Sequence, residues 1–490
     1  MVIKRWFLTG MVALTLVIPG ACASGVTESP ISEVPRQIWS VRYDGPDHLD
    51  DTPKALAVDA KGNAHVTGIS SGGTETYEDF ITIKYDTNGN QLWTARYDGP
   101  EHRNDMPQAL ALDNYGNVYV TGWSYSIETD YDYVTIKYDP DGNELWVARY
   151  NGEGNGEDIA NDIAVDKSGN VYITGGSTGT DGFGRATIKY DTYGNQQWVA
   201  YYKVPGESRD GANALALDSQ GNIYVTGPGG GTLSGGTGSG LPGTTTPPGT
   251  PNDILTIKYD NDGDELWATT YDGPAKDNDV PHGLKVDGDG NVYIAGESMG
   301  DGTGYDSVVI KYHTSGSQLW VSRYNSPENS SDGATDLALD PDGNVYITGY
   351  SYGTEERDYL TIKYDSDGNE LWTALYGGIA PGDDIARSIA VDDIGKVYVT
   401  GESGFDYHNT GAYEDIATVK YNTDGNEVWV GRYSHHEGTR DKAVAIVLYE
   451  AEILYIVELS TEEASANYDI VISEYVGIVI VDCELENHLP

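Results

Sequence analysis

Eight aspartates stand at one recurring position of this chain: Asp51, Asp105, Asp158, Asp210, Asp279, Asp332, Asp384 and Asp441. Each precedes a short apolar run at the same offset, as in Asp105-Met106-Pro107-Gln108-Ala109-Leu110. If that run is the innermost strand of a ring of sheets, the eight carboxylates encircle the mouth of a central channel. Two chemistries follow. Each carboxylate accepts hydrogen bonds from a neighbouring unit's backbone, or the ring holds a cation such as calcium or a positively charged ligand. Unpaired carboxylates crowded around one opening repel each other, so each must find donors or take up a proton.

Other reactive residues are scattered. His48 and His102 share one repeat position, with His435 and His436 near an equivalent one, and a metal site competes there with plain surface histidine. The loop Asp260-Asn261-Asp262-Gly263-Asp264 is rich in oxygen ligands. Its Gly falls at the fourth position rather than the sixth, so the spacing is that of a turn and not of an EF-hand loop. No nucleophile–base constellation is recognised, and paired carboxylates are too abundant for proximity alone to indicate glycosidase chemistry. No catalytic residue or cofactor is assigned, apart from the calcium reading of the aspartate ring.

The elements that must position these residues follow from composition and period. The 490 residues carry 29 basic and 77 acidic side chains, a formal net charge of −48. Such a chain repels phosphate backbones, which excludes nucleic acid as a partner. The 62 Gly and 38 Tyr suit many short strands joined by tight turns. At the N-terminus, Lys4 and Arg5 precede an apolar run from Trp6 to Ile18, too short for a transmembrane helix and suited to a signal peptide over residues 1–23. Ala21-Cys22-Ala23 fits a cleavage site for secretion, while Gly20-Ala21-Cys22 resembles a lipobox with Cys22 lipidated. Either route leads out of the cytoplasm, to a secreted or surface-anchored protein. With Cys22 removed, only Cys483 would remain and no intramolecular disulfide could form.

One unit repeats through the mature chain. Trp39, Trp93, Trp146, Trp198, Trp267, Trp320, Trp372 and Trp429 are spaced by 54, 53, 52, 69, 53, 52 and 57 residues. Each interval holds four strands, here a to d: Ala55–Asp59, Ala64–Gly68, Ile81–Asp86 and Gln91–Tyr97 in the first. The a–b and c–d joints are both D-x-x-G-N turns, in which Asp bonds its own backbone and Gly takes a positive φ. Four-stranded units of this size bury both faces only by radial stacking, so the expected fold is all-β, a single propeller, with each Trp packed on the neighbouring blade.

The phrase D-x-x-G-N-V-Y-V-T-G followed by T-I-K-Y-D-x-x-G-N-x-L-W resembles the secreted prokaryotic beta-propeller repeat family known as SBBP. That resemblance implies a propeller and an extracytoplasmic location, and no defined activity. The D-x-x-G-N-x-L-W stretch is also similar to the tryptophan-docking repeats of quinoprotein propellers. Their adjacent cysteines have no counterpart in Cys22 and Cys483, so the quinone is not carried over.

The propeller is expected over residues 39–475, after a short leader at 24–38 and before a tail or degenerate outer strand at 476–490. Eight d strands and eight a–b–c sets favour eight blades, with Trp39–Tyr43 completing the last blade; seven is the alternative. The final set, residues 443–475, is worn. Tyr449, Glu452 and Ile453 replace the a–b turn residues, and Glu452 and Glu458 are expected only where solvent reaches them. The D-x-x-G-N turns share one face, and the variable d–a and b–c loops share the other, including a flexible insertion at 228–252. Loops such as Trp123–Tyr133 and Tyr350–Tyr359 mix aromatics with acids. The leading reading is a non-catalytic scaffold that presents this variable face to a protein or glycan. The alternatives are a channel-centred lyase or hydrolase, which would break repeat symmetry with polar residues at the channel, and a calcium-dependent adhesin or lectin.

Overall fold

The computed structural model describes residues 32–72, 77–203, 211–230, 252–353, 356–378, 382–405, 415–433, 440–461 and 467–480. Eight four-stranded antiparallel sheets make an eight-bladed propeller, each blade ordered a-b-c-d. In the first blade the strands are Asp51–Val58, Ala64–Gly72, Tyr77–Tyr85 and Gln91–Tyr97. Strand a therefore starts four residues earlier than the alternation suggested, and the recurrent Asp is its first residue. The signal segment with Cys22, and also Asp210, His435, His436 and Cys483, lie outside the described residues. So does most of the insertion; its ends, Pro228 to Gly230 and Asn252, extend strands b and c of the fourth blade.

The eighth blade closes the ring. Its first three strands are Asp441–Tyr449, Ile453–Thr461 and Tyr468–Ile480, and its outermost strand is Ser32–Tyr43 from the other end of the chain. That ladder runs from Ser32↔Ile480 to Tyr43↔Ile470. It continues past the Trp39–Tyr43 core of the expected pairing and takes in residues 476–480.

Turn chemistry fixes each hairpin. Asp59 Oδ1 accepts from the backbone N–H of Lys61 and Asn63, both at 2.9 Å. The ligand-rich loop behaves identically: Asp260 Oδ1 accepts from Asp262 and Asp264 N–H at 2.9 Å, so this oxygen is already used by the turn. Strands b and c sit mid-blade, between the neighbouring sheets, and are buried almost residue by residue, as in Tyr77–Tyr85. This explains their continuous V-Y-V-T and I-T-I-K-Y runs. Gly122 on strand b has no room for a Cβ, which would collide with the Met106 carbonyl on strand a.

Seven of the eight d-strand tryptophans cap the c–d turn of the next blade. Trp93 Nε1 donates to Pro140 O at 3.1 Å, Trp146 to Thr192 O at 3.1 Å and Trp267 to Thr314 O at 3.0 Å. The ring lies over the Gly of that same turn; a Cβ on Gly142, whose φ is +86°, would come within 2.7 Å of Trp93. The lysine of the I-K-Y phrase shares the acceptor, with Lys137 Nζ on Thr192 O at 3.1 Å and also 4.9 Å from the Tyr119 ring centre. Burial lowers the pKa of Lys137, Lys189 and Lys258.

The worn repeat departs from expectation at one residue. Glu458 is 0% exposed, not solvated, because it sits mid-strand between strands a and c of the eighth blade, opposite Ala443 and Val471. Glu452 does reach solvent and receives Lys396 Nζ at 3.2 Å from the seventh blade. A short 3-10 turn, Glu450–Glu452, replaces the missing D-x-x-G-N turn.

Candidate functional site

Three regions carry chemistry: the aspartate positions, the channel and the variable face. None of the seven described aspartates, Asp51, Asp105, Asp158, Asp279, Asp332, Asp384 and Asp441, is more than 2% exposed. They are interior groups at the seams between blades and do not open on the lumen. Six of them anchor the loop that arrives from the preceding blade. Asp51 accepts from Gly45 N–H at 2.6 Å, Asp105 from Gly99 at 2.6 Å, Asp279 from Gly273 at 2.7 Å and Asp332 from Ser326 at 2.6 Å. In Asp332, Asp158 and Asp384 the second oxygen is served from strand b: Ser351 Oγ donates to Asp332 at 2.6 Å, Thr178 N–H to Asp158 at 2.9 Å and Gly404 N–H to Asp384 at 3.1 Å, whereas Asp51 Oδ1 and Asp279 Oδ1 are buried without a partner. Replacing Asp332 by Ala should therefore cost about 1–3 kcal/mol in urea unfolding; an unchanged midpoint would contradict this role.

Burial raises Asp51 and Asp105 to about 6 and also raises Asp158, Asp279, Asp332 and Asp384. Three turn aspartates move the other way: Asn90 and the local backbone N–H groups hold Asp86 low, and their equivalents do the same for Asp139 and Asp365. A raised carboxyl favours folding fully below its unfolded pKa, near 4, and that contribution is lost as pH climbs through the folded value. A lowered one favours folding above about 4 and loses its contribution as acid protonates it. Melting temperature in chelator should consequently peak near about pH 4–5 and fall towards about pH 8. A flat or rising profile over that range would contradict the burial of these groups.

The channel holds polar residues that the repeat alignment did not bring out. A cavity of about 480 Å³ is lined by strand-a residues, among them Leu56, Lys285, Asp336, Ser388, Ile389 and Ile446. Asp162, Asp336 and Ser388 occupy a position that is Ala in four other repeats, and Lys285 replaces an Ala two residues further on. These residues break the repeat symmetry at the channel. A bulge in strand a just before this position re-aims it. Both carboxylates bridge to the next blade: Asp162 Oδ2 accepts from Leu215 N–H at 2.7 Å, and Asp336 Oδ2 from Ile389 N–H and Ser388 Oγ, both at 3.1 Å. Their other oxygens accept from Ile163 and Leu337 N–H at 2.8 Å. Burial raises Asp162 to about 6 and also raises Asp336, and Lys285 opposes both shifts. Inter-blade hydrogen bonding is thus carried at the channel by Asp162 and Asp336, with Asn161 Nδ2 on Ala212 O at 2.7 Å and Thr335 Oγ1 on Ala386 O at 2.8 Å.

The variable face gathers aromatics and arginines. Arg103 lies 5.5 Å from the Tyr77 ring centre and 5.4 Å from that of Tyr125. Tyr131 packs edge-on against Trp123 at 4.5 Å and against Tyr125 at 5.6 Å. Ile127 beside them is 67% exposed. A second group on the fifth and sixth blades joins His282, Glu297, Tyr350 and Arg357. Glu297 takes His282 Nε2 and the Tyr350 hydroxyl, each at 2.8 Å, and Arg357 stacks on Tyr350 at 4.8 Å. His48 and His102 are here too, each exposed and each paired through Nδ1 to the aspartate four residues earlier, Asp44 or Asp98.

Three stretches, residues 146–183, 320–355 and 371–408, match the family model of the SBBP beta-propeller repeat. Among curated proteins, an uncharacterised WD repeat-containing protein of Acanthamoeba polyphaga mimivirus is 26% identical over 477 residues, covering 81% of this chain. The alignment spans 32% of that viral protein, so this chain corresponds to about a third of its length. Among solved structures, the propeller domain of the trilobed protease from Pyrococcus furiosus is 8% identical, covering 77% of this chain and 94% of that one, at a TM-score of 0.44. The WD40 domain of SCAP from fission yeast is 10% identical, covering 90% and 94%, at 0.44. An α-L-arabinanase of Penicillium chrysogenum is 11% identical, covering 66% and 93%, at 0.37. None of these likenesses says what this propeller binds.

Proposed function

We propose that this SBBP propeller is a non-catalytic, extracytoplasmic binding scaffold that presents its variable loop face to a protein or glycan. One observation carries the reading: the half-buried cluster of Tyr77, Trp123, Tyr125 and Tyr131 around Arg103, with Ile127 exposed at its edge. Aromatic rings and Arg held rigid by each other are the residues that dominate binding energy at interfaces. The opposite face repeats one turn geometry at fourteen hairpins, seven a–b and seven c–d, and offers little to distinguish one partner from another. Its exposed aromatics, Tyr115 and Tyr193, stand alone on separate turns.

The channel favours a second reading, a lyase or hydrolase, through Asp162, Lys285 and Asp336. Against it, both oxygens of each Asp already accept backbone hydrogen bonds, which makes them inter-blade clamps. A glycan array and a panel of purified surface proteins test the proposal. Wild-type binding should weaken at least tenfold in the R103A/W123A double variant and persist in Y115A/Y193A. Binding lost only in the second variant, or polysaccharide cleavage that K285A abolishes, would overturn it.

A further inference from the structure

At three seams between blades, one Asp opening strand c, one opening the d–a loop and one opening strand a bring a carboxylate oxygen each within 4.8 Å of one another. The trios are Asp469, Asp44 and Asp51; Asp79, Asp98 and Asp105; and Asp253, Asp272 and Asp279. In the first two, an arginine enters the cluster and a histidine pairs at its edge. Arg42 reaches Asp469 at 2.5 Å and His48 pairs with Asp44. Arg96 reaches Asp79 at 2.6 Å, and His102 pairs with Asp98 at 2.6 Å.

The third seam, between the fourth and fifth blades, lacks the arginine. Thr270 pairs with Leu255 on strand d where Arg96 pairs with Ile81. Asp253 is left 3% exposed, and its Oδ2 has no hydrogen-bond partner. Asp272 Oδ1 is likewise buried without one. Lys276 serves the other oxygen of Asp272 at 2.7 Å, and Asp279 Oδ2 takes Gly273 N–H. Arg323, whose charge is felt at Asp279, is committed to Asp306 at 2.7 Å and to Ser298. Three carboxylates against one lysine leave two negative charges in a largely dry seam.

We propose that this seam binds one calcium-like divalent cation, held by Asp253, Asp272 and Asp279 in the place the missing guanidinium leaves. Oxygens bound to one calcium at about 2.4 Å lie at most about 4.8 Å apart, which matches the trio. Backbone carbonyls and water would complete the shell of roughly six to eight oxygens. Without a cation, burial and the like charges of Asp272 and Asp279 push Asp253 up to about 7, so protonation is the competing way to relieve the seam.

Calorimetry with calcium chloride on the chelator-stripped full chain, at about pH 8 so that Asp253 is ionised, separates the two. Wild type should take up one equivalent more than D253N and melt higher with calcium, whereas D253N should show no such rise. T270R, which restores the arginine, should lose the same equivalent and melt without calcium as wild type does with it. D79N, at an arginine-filled seam, should bind calcium like wild type. Equal uptake by wild type and D253N, or none by wild type, would overturn the proposal.

Discussion

Deleting residues 24–43 should cost more stability than any single substitution in the chain. Strand Tyr468–Ile480 would lose its neighbour along the whole Ser32–Tyr43 ladder. The deletion also removes Trp39, whose Nε1 donates to Thr87 O at 3.2 Å in the first blade and to Glu474 at 3.0 Å in the eighth. Arg42 goes with it, leaving Asp469 buried without its guanidinium. The ring would open at one seam and expose a long strand edge, a template for association between chains. The expected result is a melting temperature lower by about 10 °C or more, with aggregation on heating. Adding a peptide of residues 30–45 should restore much of it by strand addition. A deleted chain that melts like the full one would show that closure is not what holds the ends.

The second large effect concerns tryptophan docking. Trp146→Ala should cost about 3 kcal/mol, since the ring fills the seam above Gly194 and between Tyr119 and Tyr190. Trp→Phe variants divide that cost into packing and hydrogen bond. At Trp146, Phe also loses the bond to Thr192 O, worth about 1 kcal/mol. At Trp429 the next blade has no c–d turn, because its d strand comes from the N-terminus. There Nε1 has no acceptor among the described residues, although the ring is only 6% exposed. W429F should therefore destabilise less than W146F in urea melts. Equal losses at both sites would mean that the hydrogen bond is not the difference.

Much of this fold was legible because its rules are local. The D-x-x-G-N turns name their own conformation, and the regular spacing of tryptophans counts the blades. Closure followed from pairing the leftover d strand with the leftover a–b–c set. What stayed hidden depends on which way a side chain faces. Asp162, Lys285 and Asp336 differ from the repeat in plain view, but only the strand-a bulge shows that they meet the channel. The lysine of I-K-Y was a signal left unused: an apolar strand that keeps a Lys at the same place in every full repeat must bury it for a reason, here the carbonyl under the docked Trp. Glu458 was misjudged because a carboxylate was expected to need solvent, whereas it sits mid-strand in a packed blade.

The central functional claim is that the loop face, not the turn face, meets the partner. A photo-crosslinking residue placed at Arg103 and, in a second protein, at Tyr193 tests it directly in the presence of a partner identified from the binding panel. The account predicts a partner adduct at position 103 that is absent at position 193, with both proteins melting like wild type. An adduct at 193 and none at 103 would contradict it.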